Sequence, residues 1–275
     1  MSQARADAWV RLARRIAVLV ERESGIVTPE HQLEALLQKA SGLVPDGLTL
    51  EAYLGELALD AGEQARFIEG ICTHETRFFR HPEHFAVLER SWLPERLADT
   101  QRRRVRAWSV ACSSGEEPYS LAMWLSDHFP RREGWTPEVL GTDFSRRVLD
   151  RAQGATWPLS RQGEISAERL ERYMLRCRGQ QTGLMRANTE LRELVRFQQL
   201  NLVQQPYAIG EDFDLVFLRN VLIYFSTDTR RQVLRAVVSL MAHSAVLVTG
   251  PSEGVSYLGE PRLRSIAPHI YVYVG

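Results

Sequence analysis

The stretch Val105-Arg-Ala-Trp-Ser-Val-Ala-Cys-Ser-Ser-Gly-Glu-Glu-Pro-Tyr-Ser-Leu-Ala-Met123 constrains the architecture of this chain more than any other. An apolar strand runs into a small-residue turn at Cys112 to Gly115, and a helix follows with Pro118 in its first positions, where proline is favoured. That order puts backbone N–H groups and a partial positive charge at the carboxyl edge of a sheet, where open α/β sheets hold nucleotides. An ordinary tight strand-to-helix turn reads the same way. The lone Gly115 also falls short of the three-glycine dinucleotide fingerprint, which counts against a dehydrogenase.

Beyond this stretch the alternation continues. Apolar runs at 105–111, 138–142, 195–199, 213–218 and 245–249, separated by helical spacings, predict a mostly parallel sheet, with a late strand at 269–274. Residues about 160–193 interrupt the rhythm. They are polar, contain Gly179 and Gly183, and exceed an ordinary connection, so they read as an inserted subdomain. The first seventy residues are helical instead. Trp9, Leu12, Ala13, Ile16, Leu19 and Val20 form one apolar face, and Gly25 ends that helix. Thr28 ahead of Pro29 predicts a capped helix with Leu33, Leu36 and Leu37 buried. Thr49 opens another through Tyr53, Leu54 and Leu57, and Phe67, Ile68 and Ile71 mark a further stripe. The expected division is a helical domain over 1–72 and an α/β domain over 73–275, with a linker at about 73–82.

Charge and cysteine usage narrow the partners. With 34 basic and 34 acidic residues the formal charge is zero, and no basic stripe is interleaved with aromatics, which argues against nucleic acid. Cys72, Cys112 and Cys177 match neither a disulfide framework nor a metal-ligand spacing, so a reducing compartment and no metal are expected. The longest early apolar run, Ile16 to Val20, is shorter than a signal-peptide core or a membrane span. A cytoplasmic, monomeric protein without direct membrane insertion is the expectation.

Two further places carry polar groups at strand ends. Gly141-Thr-Asp143 puts an aspartate where it serves either ribose hydroxyls or the N-cap of a helix around 146–152. The run 213–218 ends in Arg219 and Asn220, followed by Tyr224, and such residues at the end of a central strand point into the ligand crevice. Phe225 reads as core.

Taken together, Thr76-Arg-Phe-Phe-Arg80, Ala111-Cys-Ser-Ser-Gly-Glu-Glu-Pro-Tyr-Ser120, Gly141-Thr-Asp143, Asn201-Leu202 and Arg219-Asn-Val-Leu-Ile-Tyr-Phe225 resemble, in order and spacing, the motifs of the chemoreceptor glutamate methyltransferases, the CheR family. The resemblance covers nearly the whole chain. It implies a Rossmann-like S-adenosylmethionine-dependent methyltransferase domain with a small antiparallel β-subdomain insertion, preceded by an all-α N-terminal domain. It also implies methyl transfer to chemoreceptor glutamates, with S-adenosylhomocysteine as product and no metal. A glutamate with a pKa near ~4.3 is already ionised at neutral pH, so attack on a sulfonium methyl needs alignment more than a base. Alignment can supply up to ~7–11 kcal/mol.

By the same matching Arg80 and Tyr224 are the expected catalytic pair. His74, Thr76, Arg80, Glu117, Asp143, Asn201, Leu202, Asn220 and Val221 are the expected cofactor contacts, Glu117 toward the methionine ammonium and Asp143 toward the ribose. Phe78 and Phe79 are expected to pack the linker onto the catalytic domain. The implied partner is the cytoplasmic helical region of a receptor. For the insertion two readings stand: the receptor's C-terminal peptide adds to its sheet edge, or it is a plain surface hairpin.

The chain also departs from the family pattern. His74 stands where asparagine is frequent, and Pro251 replaces a histidine of the last motif while Gly250, Ser252 and Glu253 are retained. Between Glu23 and Gln64 Lys39 stands alone among acidic residues, and basic charge lies on the first helix at Arg11, Arg14, Arg15 and Arg22. Arg11, Arg14 and Arg15 are therefore the candidate docking residues for acidic receptor helices. A non-catalytic cofactor-binding sensor or scaffold, and a methyltransferase for another acceptor, are the alternative readings.

Overall fold

The computed structural model describes residues 3–72, 75–99 and 101–275, with side chains from Ala8 onward. It begins with helices α1 (Gln3–Ser24), α2 (Leu33–Ser41), α3 (Leu50–Leu57) and α4 (Ala61–Ile71). Their apolar faces close on one another through Ala13, Ile16, Val20, Leu36, Leu57, Phe67 and Ile68. Thr49 caps α3 by accepting the Ala52 N–H at 3.2 Å, and Asp60 caps α4 through Gly62 and Glu63 at 2.8 and 3.0 Å.

Two expectations are corrected here. Trp9 is 47 % exposed, because α1 has 22 residues and the α2 packed against it only nine, so the first turns of α1 extend past their cover. Thr28 is not a helix cap. Pro29 holds the cap position with an extended ψ of 152°, no side chain bonds there, and a 3-10 turn at Glu30–Gln32 precedes α2.

The chain continues through α5 (Pro82–Ser91) and α6 (Leu93–Ala98) into the alternating part: β1 (Arg104–Ser109), α7 (Glu116–His128), β2 (Thr136–Asp143) and α8 (Arg146–Gly154). The insertion follows as β3 (Thr156–Pro158), α9 (Ala167–Tyr173), β4 (Met174–Arg176), β5 (Leu184–Ala187) and α10 (Thr189–Arg192). Then come β6 (Val195–Gln199), β7 (Phe213–Leu218), α11 (Thr227–Val238), β8 (Met241–Thr249), β9 (Leu263–Ala267) and β10 (Ile270–Tyr273).

The described residues form two sheets. The larger runs β6-β2-β1-β7-β8-β10-β9, parallel from β6 to β8 and antiparallel at β10 and β9. The smaller is antiparallel, in the order β3-β5-β4, and its first strand lies ahead of residue 160. β9 was not anticipated from the sequence. It is an edge strand with Arg264, Ser265 and Ile266 exposed, so it lacks the apolar run that marks the central strands. Every residue of β7 is buried. Leu215 and Phe217 face the layer that holds Phe85 and Trp124, while Val216 and Leu218 face Val233 and Val237 of α11.

After β1 the chain builds outward to β2 and β6, then crosses back to lay β7 on the other side of β1. Such a reversal opens a crevice beyond the carboxyl ends of the two central strands. The helical domain is fixed over that edge. Gly25 ends α1 at φ +76°, and a Cβ there would lie 2.4 Å from Val203, so only glycine lets the chain pass. Ile26 then pairs antiparallel with Phe225, and the Val27 N–H donates to the Tyr224 carbonyl at 2.8 Å.

A second attachment uses the free N–H groups at the start of α8. The buried Glu69 of α4 accepts the Ser145 hydroxyl at 2.9 Å and the Arg146 N–H at 3.0 Å, with the Arg147 N–H at 3.4 Å. Replacing Glu69 by alanine strands these donors and is expected to cost about 1–3 kcal/mol. Urea unfolding checks this: Glu69→Ala should lower the midpoint clearly more than Glu69→Gln, and equal, unchanged midpoints would refute the role.

Candidate active site

The turn after β1 passes through Ser113 at φ 50° and Gly115 at φ 96° into α7. A Cβ on Gly115 would lie 2.9 Å from the Cβ of Ala152, so this glycine serves close packing of the turn on α8. Asp143, buried at the end of β2, accepts the Ser113 N–H at 2.8 Å and the Ser145 N–H at 3.0 Å. It ties two turns together. The helix cap that was one reading of Asp143 belongs instead to Ser145, whose hydroxyl takes the Val148 N–H.

Glu117, in the first turn of α7, meets Arg219 at the end of β7. The Nε and Nη2 of Arg219 both lie 2.7 Å from Oε2 of Glu117, and Ser109 donates its hydroxyl to Oε1 at 2.6 Å. The Arg219 side chain is 2 % exposed, so each charge relies on the other. Its Nη1 also donates to the Arg80 carbonyl and lies 3.4 Å from Nδ1 of His84. Arginine only donates, so Nδ1 accepts and the neutral ring carries its proton on Nε2. Burial, followed by the charge of Arg219, pulls the His84 pKa down to about 4.

The segment 75–81 crosses the crevice without joining a strand or helix. Phe79 at φ 47° and His81 at φ 59° sit in the left-handed region, each at a cost of about 1–3 kcal/mol. Phe78 anchors it, buried and edge-on to Trp157 at 4.9 Å, and Phe79 packs on Phe85 at 5.4 Å, as expected of this pair. Arg80 is half-buried and donates to the Glu75 carbonyl at 3.1 Å.

One cavity gathers Thr76, Arg80, Glu117, Asp143, Asn201, Leu202, Asn220, Val221 and Tyr224. His74 lies outside the described residues. Asn201 gives its amide to the Glu23 carbonyl at 2.7 Å and accepts the Val203 N–H, so it joins the domains as well as lining the space. Asn220, at φ 60°, donates its N–H to Glu253. The buried Glu253 also takes the N–H groups of Gly250 and Ile223 at 2.9 and 3.2 Å, and a Cβ on Gly250 would block it at 2.4 Å. That accounts for two of the three residues retained from the last motif, Gly250 and Glu253. Burial raises the Tyr224 phenol above its usual pKa, so its hydroxyl remains a donor. Phe225 is buried, as expected.

The helical domain supplies lining that no sequence signal announced: Ser24, Lys39 and Cys72 face the same cavity. Lys39 donates to the Ile71 carbonyl at 3.3 Å. Burial pushes the Cys72 thiol up to about 12, so it stays protonated. Arg11, Arg14 and Arg15 do not line the cavity. They are exposed on α1, with Arg14 paired to Glu30 at 3.0 Å and Arg15 to Glu51 at 3.7 Å.

The family model of the CheR methyltransferase, SAM binding domain, matches residues 74–268. The chain belongs to this methyltransferase family. The chemotaxis protein methyltransferase of Escherichia coli (strain K12) is 36 % identical over 253 residues, covering 89 % of this chain and 85 % of that one. Its Salmonella typhimurium counterpart is 34 % identical over the same length, covering 89 % and 84 %. Chemotaxis protein methyltransferase 2 of Pseudomonas aeruginosa is 33 % identical over 225 residues, covering 80 % and 76 %.

The cavity of this CheR chain fits S-adenosylmethionine. Asp143 offers acceptors for hydroxyl groups, Leu200, Leu202 and Val221 offer apolar walls for a purine, and three donors leave Glu117 one of its roughly four acceptor directions for an amino group. When bound, this cofactor supplies an electrophilic methyl group on a sulfonium. The protein's part is to bind, orient and exclude water. Among the described residues no group of three metal-ligating side chains converges.

His84 gives this site a pH signature. Its native pKa lies below the unfolded value, so its contribution to stability is complete above about pH 6.5 and is lost as pH falls toward about 4. Urea midpoints of the wild type should therefore drop between about pH 7 and about pH 5 by more than those of His84→Gln. Parallel pH dependences would refute the assignment.

Proposed function

We propose that this chain methylates glutamate side chains of a chemoreceptor, with Arg80 and Tyr224 as the groups that position the acceptor carboxylate against the methyl donor. The observation that carries the reading is the single cavity in which Arg80 and Tyr224 face the same space as Asp143 and Glu117. An ionised glutamate is already a nucleophile. A guanidinium can hold it through two hydrogen bonds and a phenol hydroxyl through a third. Thr76, Asn201, Leu202, Asn220 and Val221 complete the proposed cofactor contacts, and His74 is proposed with them from its motif. The protonated Cys72 thiol does not compete for the methyl group, because the thiolate is the nucleophile.

Arg80→Ala tests this directly. Methyl transfer to a receptor cytoplasmic fragment should fall by about 100-fold or more, since lost alignment of this kind costs that much. Calorimetric titration with S-adenosylhomocysteine should change little. Unchanged transfer would remove Arg80 from the site, and an absence of transfer in the wild type, with S-adenosylhomocysteine binding intact, would favour the sensor reading.

The acceptor helices are proposed to lie along α1. Exposed pairs such as Arg14 with Glu30 contribute at most about 1 kcal/mol, so these arginines can exchange partners for receptor carboxylates at little cost. The combined change Arg11→Glu, Arg14→Glu and Arg15→Glu should weaken receptor methylation and leave S-adenosylhomocysteine binding intact. Undiminished receptor methylation would exclude this docking face. A receptor's C-terminal peptide is proposed to add to β4, an edge of the small sheet where Leu175 is exposed. No helix among the described residues is long and apolar enough to cross a membrane.

A further inference from the structure

We infer that the root of the insertion belongs to the methyl-transfer site: Arg161 and Glu164 are positioning residues that set the segment carrying Thr76 and Arg80. The inference rests on the proposed cofactor and acceptor contacts of those two residues.

Arg161 and Glu164 lie in the 3-10 turn Leu159–Glu164, which leads out of β3 into the inserted subdomain. The Arg161 guanidinium donates to the Thr76 carbonyl and to the fully buried carboxylate of Glu116, and its Nε lies 3.1 Å from Oε1 of Glu164. The other oxygen of Glu164 accepts the Phe78 N–H at 2.8 Å. Two contacts from the α/β core complete the set. Ser120 of α7 accepts the Phe79 N–H at 2.9 Å, and Arg219 holds the Arg80 carbonyl. Over 76–80 the main chain is therefore held at four points by side chains, two of them from the insertion.

A segment without strand or helix partners must satisfy its buried backbone groups in another way. Here it also carries Phe79 and His81 at positive φ, a conformation that persists only when the surroundings impose it. Arg161 suits this task because its planar fork spans two acceptors at once, the linker carbonyl and Glu116, which precedes Glu117 in α7. Lysine, a single point charge, cannot hold both in the same geometry. Trp157 of β3, stacked edge-on against Phe78, adds an apolar contact from the same root. The inserted sheet is thus attached to the catalytic segment as well as to the strands it interrupts.

The test uses the full chain with Arg161→Met, Arg161→Lys and Glu164→Ala. Hydrogen exchange over 75–81 reads the segment directly, and S-adenosylmethionine KM and kcat are read with a receptor cytoplasmic fragment as acceptor. In Arg161→Met, exchange at 75–81 should rise and kcat/KM for S-adenosylmethionine should fall about 10- to 100-fold, the range expected when a reacting group is displaced by about 1 Å. Arg161→Lys should recover part of that loss, and Glu164→Ala should raise exchange at the Phe78 amide in particular. The melting temperature controls for a general structural loss, and the two milder variants keep the test open should Arg161→Met fail to fold. Unchanged exchange, or raised exchange with unchanged kcat/KM, overturns the inference. Arg80→Ala in parallel separates the two levels. Loss of transfer there with none in the Arg161 variants rejects only the positioning role, whereas full transfer in Arg80→Ala rejects the reading on which it rests.

Discussion

The buried pair of Glu117 and Arg219 is the interaction on which the rest of the site depends. It joins the start of α7 to the end of β7 across the crevice left by the reversal of strand order, and through the Arg80 carbonyl it reaches the crossing segment. Removing one member of such a pair typically costs about 3–5 kcal/mol because the other is left as a lone charge in the interior. His84 and Ser109 occupy two of the remaining hydrogen-bonding directions, so the pair is fixed in orientation as well as in charge. Strand ends that sheet pairing alone would leave splayed are in this way drawn to a common point.

A second constraint comes from the helical domain, which forms one wall of the cavity. Val20, Ser24 and Lys39 face the strand ends, and the short pairing of Ile26 with Phe225 ties the connection after α1 to the residues around Tyr224. The α/β domain therefore supplies the carboxylates, and the helices help enclose the cavity proposed for methyl transfer. Enclosure matters for this chemistry, since water is the competing acceptor and a charged acceptor strengthens its contacts in a site that excludes it.

Much of this was legible in the sequence, and the parts that were not have physical reasons. The central strands announced themselves because both their faces are buried, as in β7, where Asp214 alone interrupts the apolar run. β9 did not, because an edge strand exposed on one face carries no such run. The short chemical motifs placed Arg80, Glu117, Asp143 and Tyr224 at one cavity, since each stands at the end of a strand, in a connection or in the first turn of the helix that follows β1, positions the fold determines. Sequence reasoning did not reach Arg161, Glu164 or Glu69. Their partners are backbone groups far along the chain, so neither local spacing nor residue type points to the contact. Trp9 fell outside the core for a reason of length, and Thr28 lost its capping role to the extended geometry of Pro29.

The attachment of α4 to the start of α8 has a consequence for how this protein can diverge. Glu69 grips the main chain of residues 146 and 147, not their side chains. Arg146 and Arg147 can therefore drift to other identities without loosening the joint, and no compensating change at 69 would follow. Correlated substitution, the usual trace by which two surfaces betray that they touch, would be silent at these two main-chain contacts and confined at this seam to Glu69 and Ser145, whose side chains meet directly.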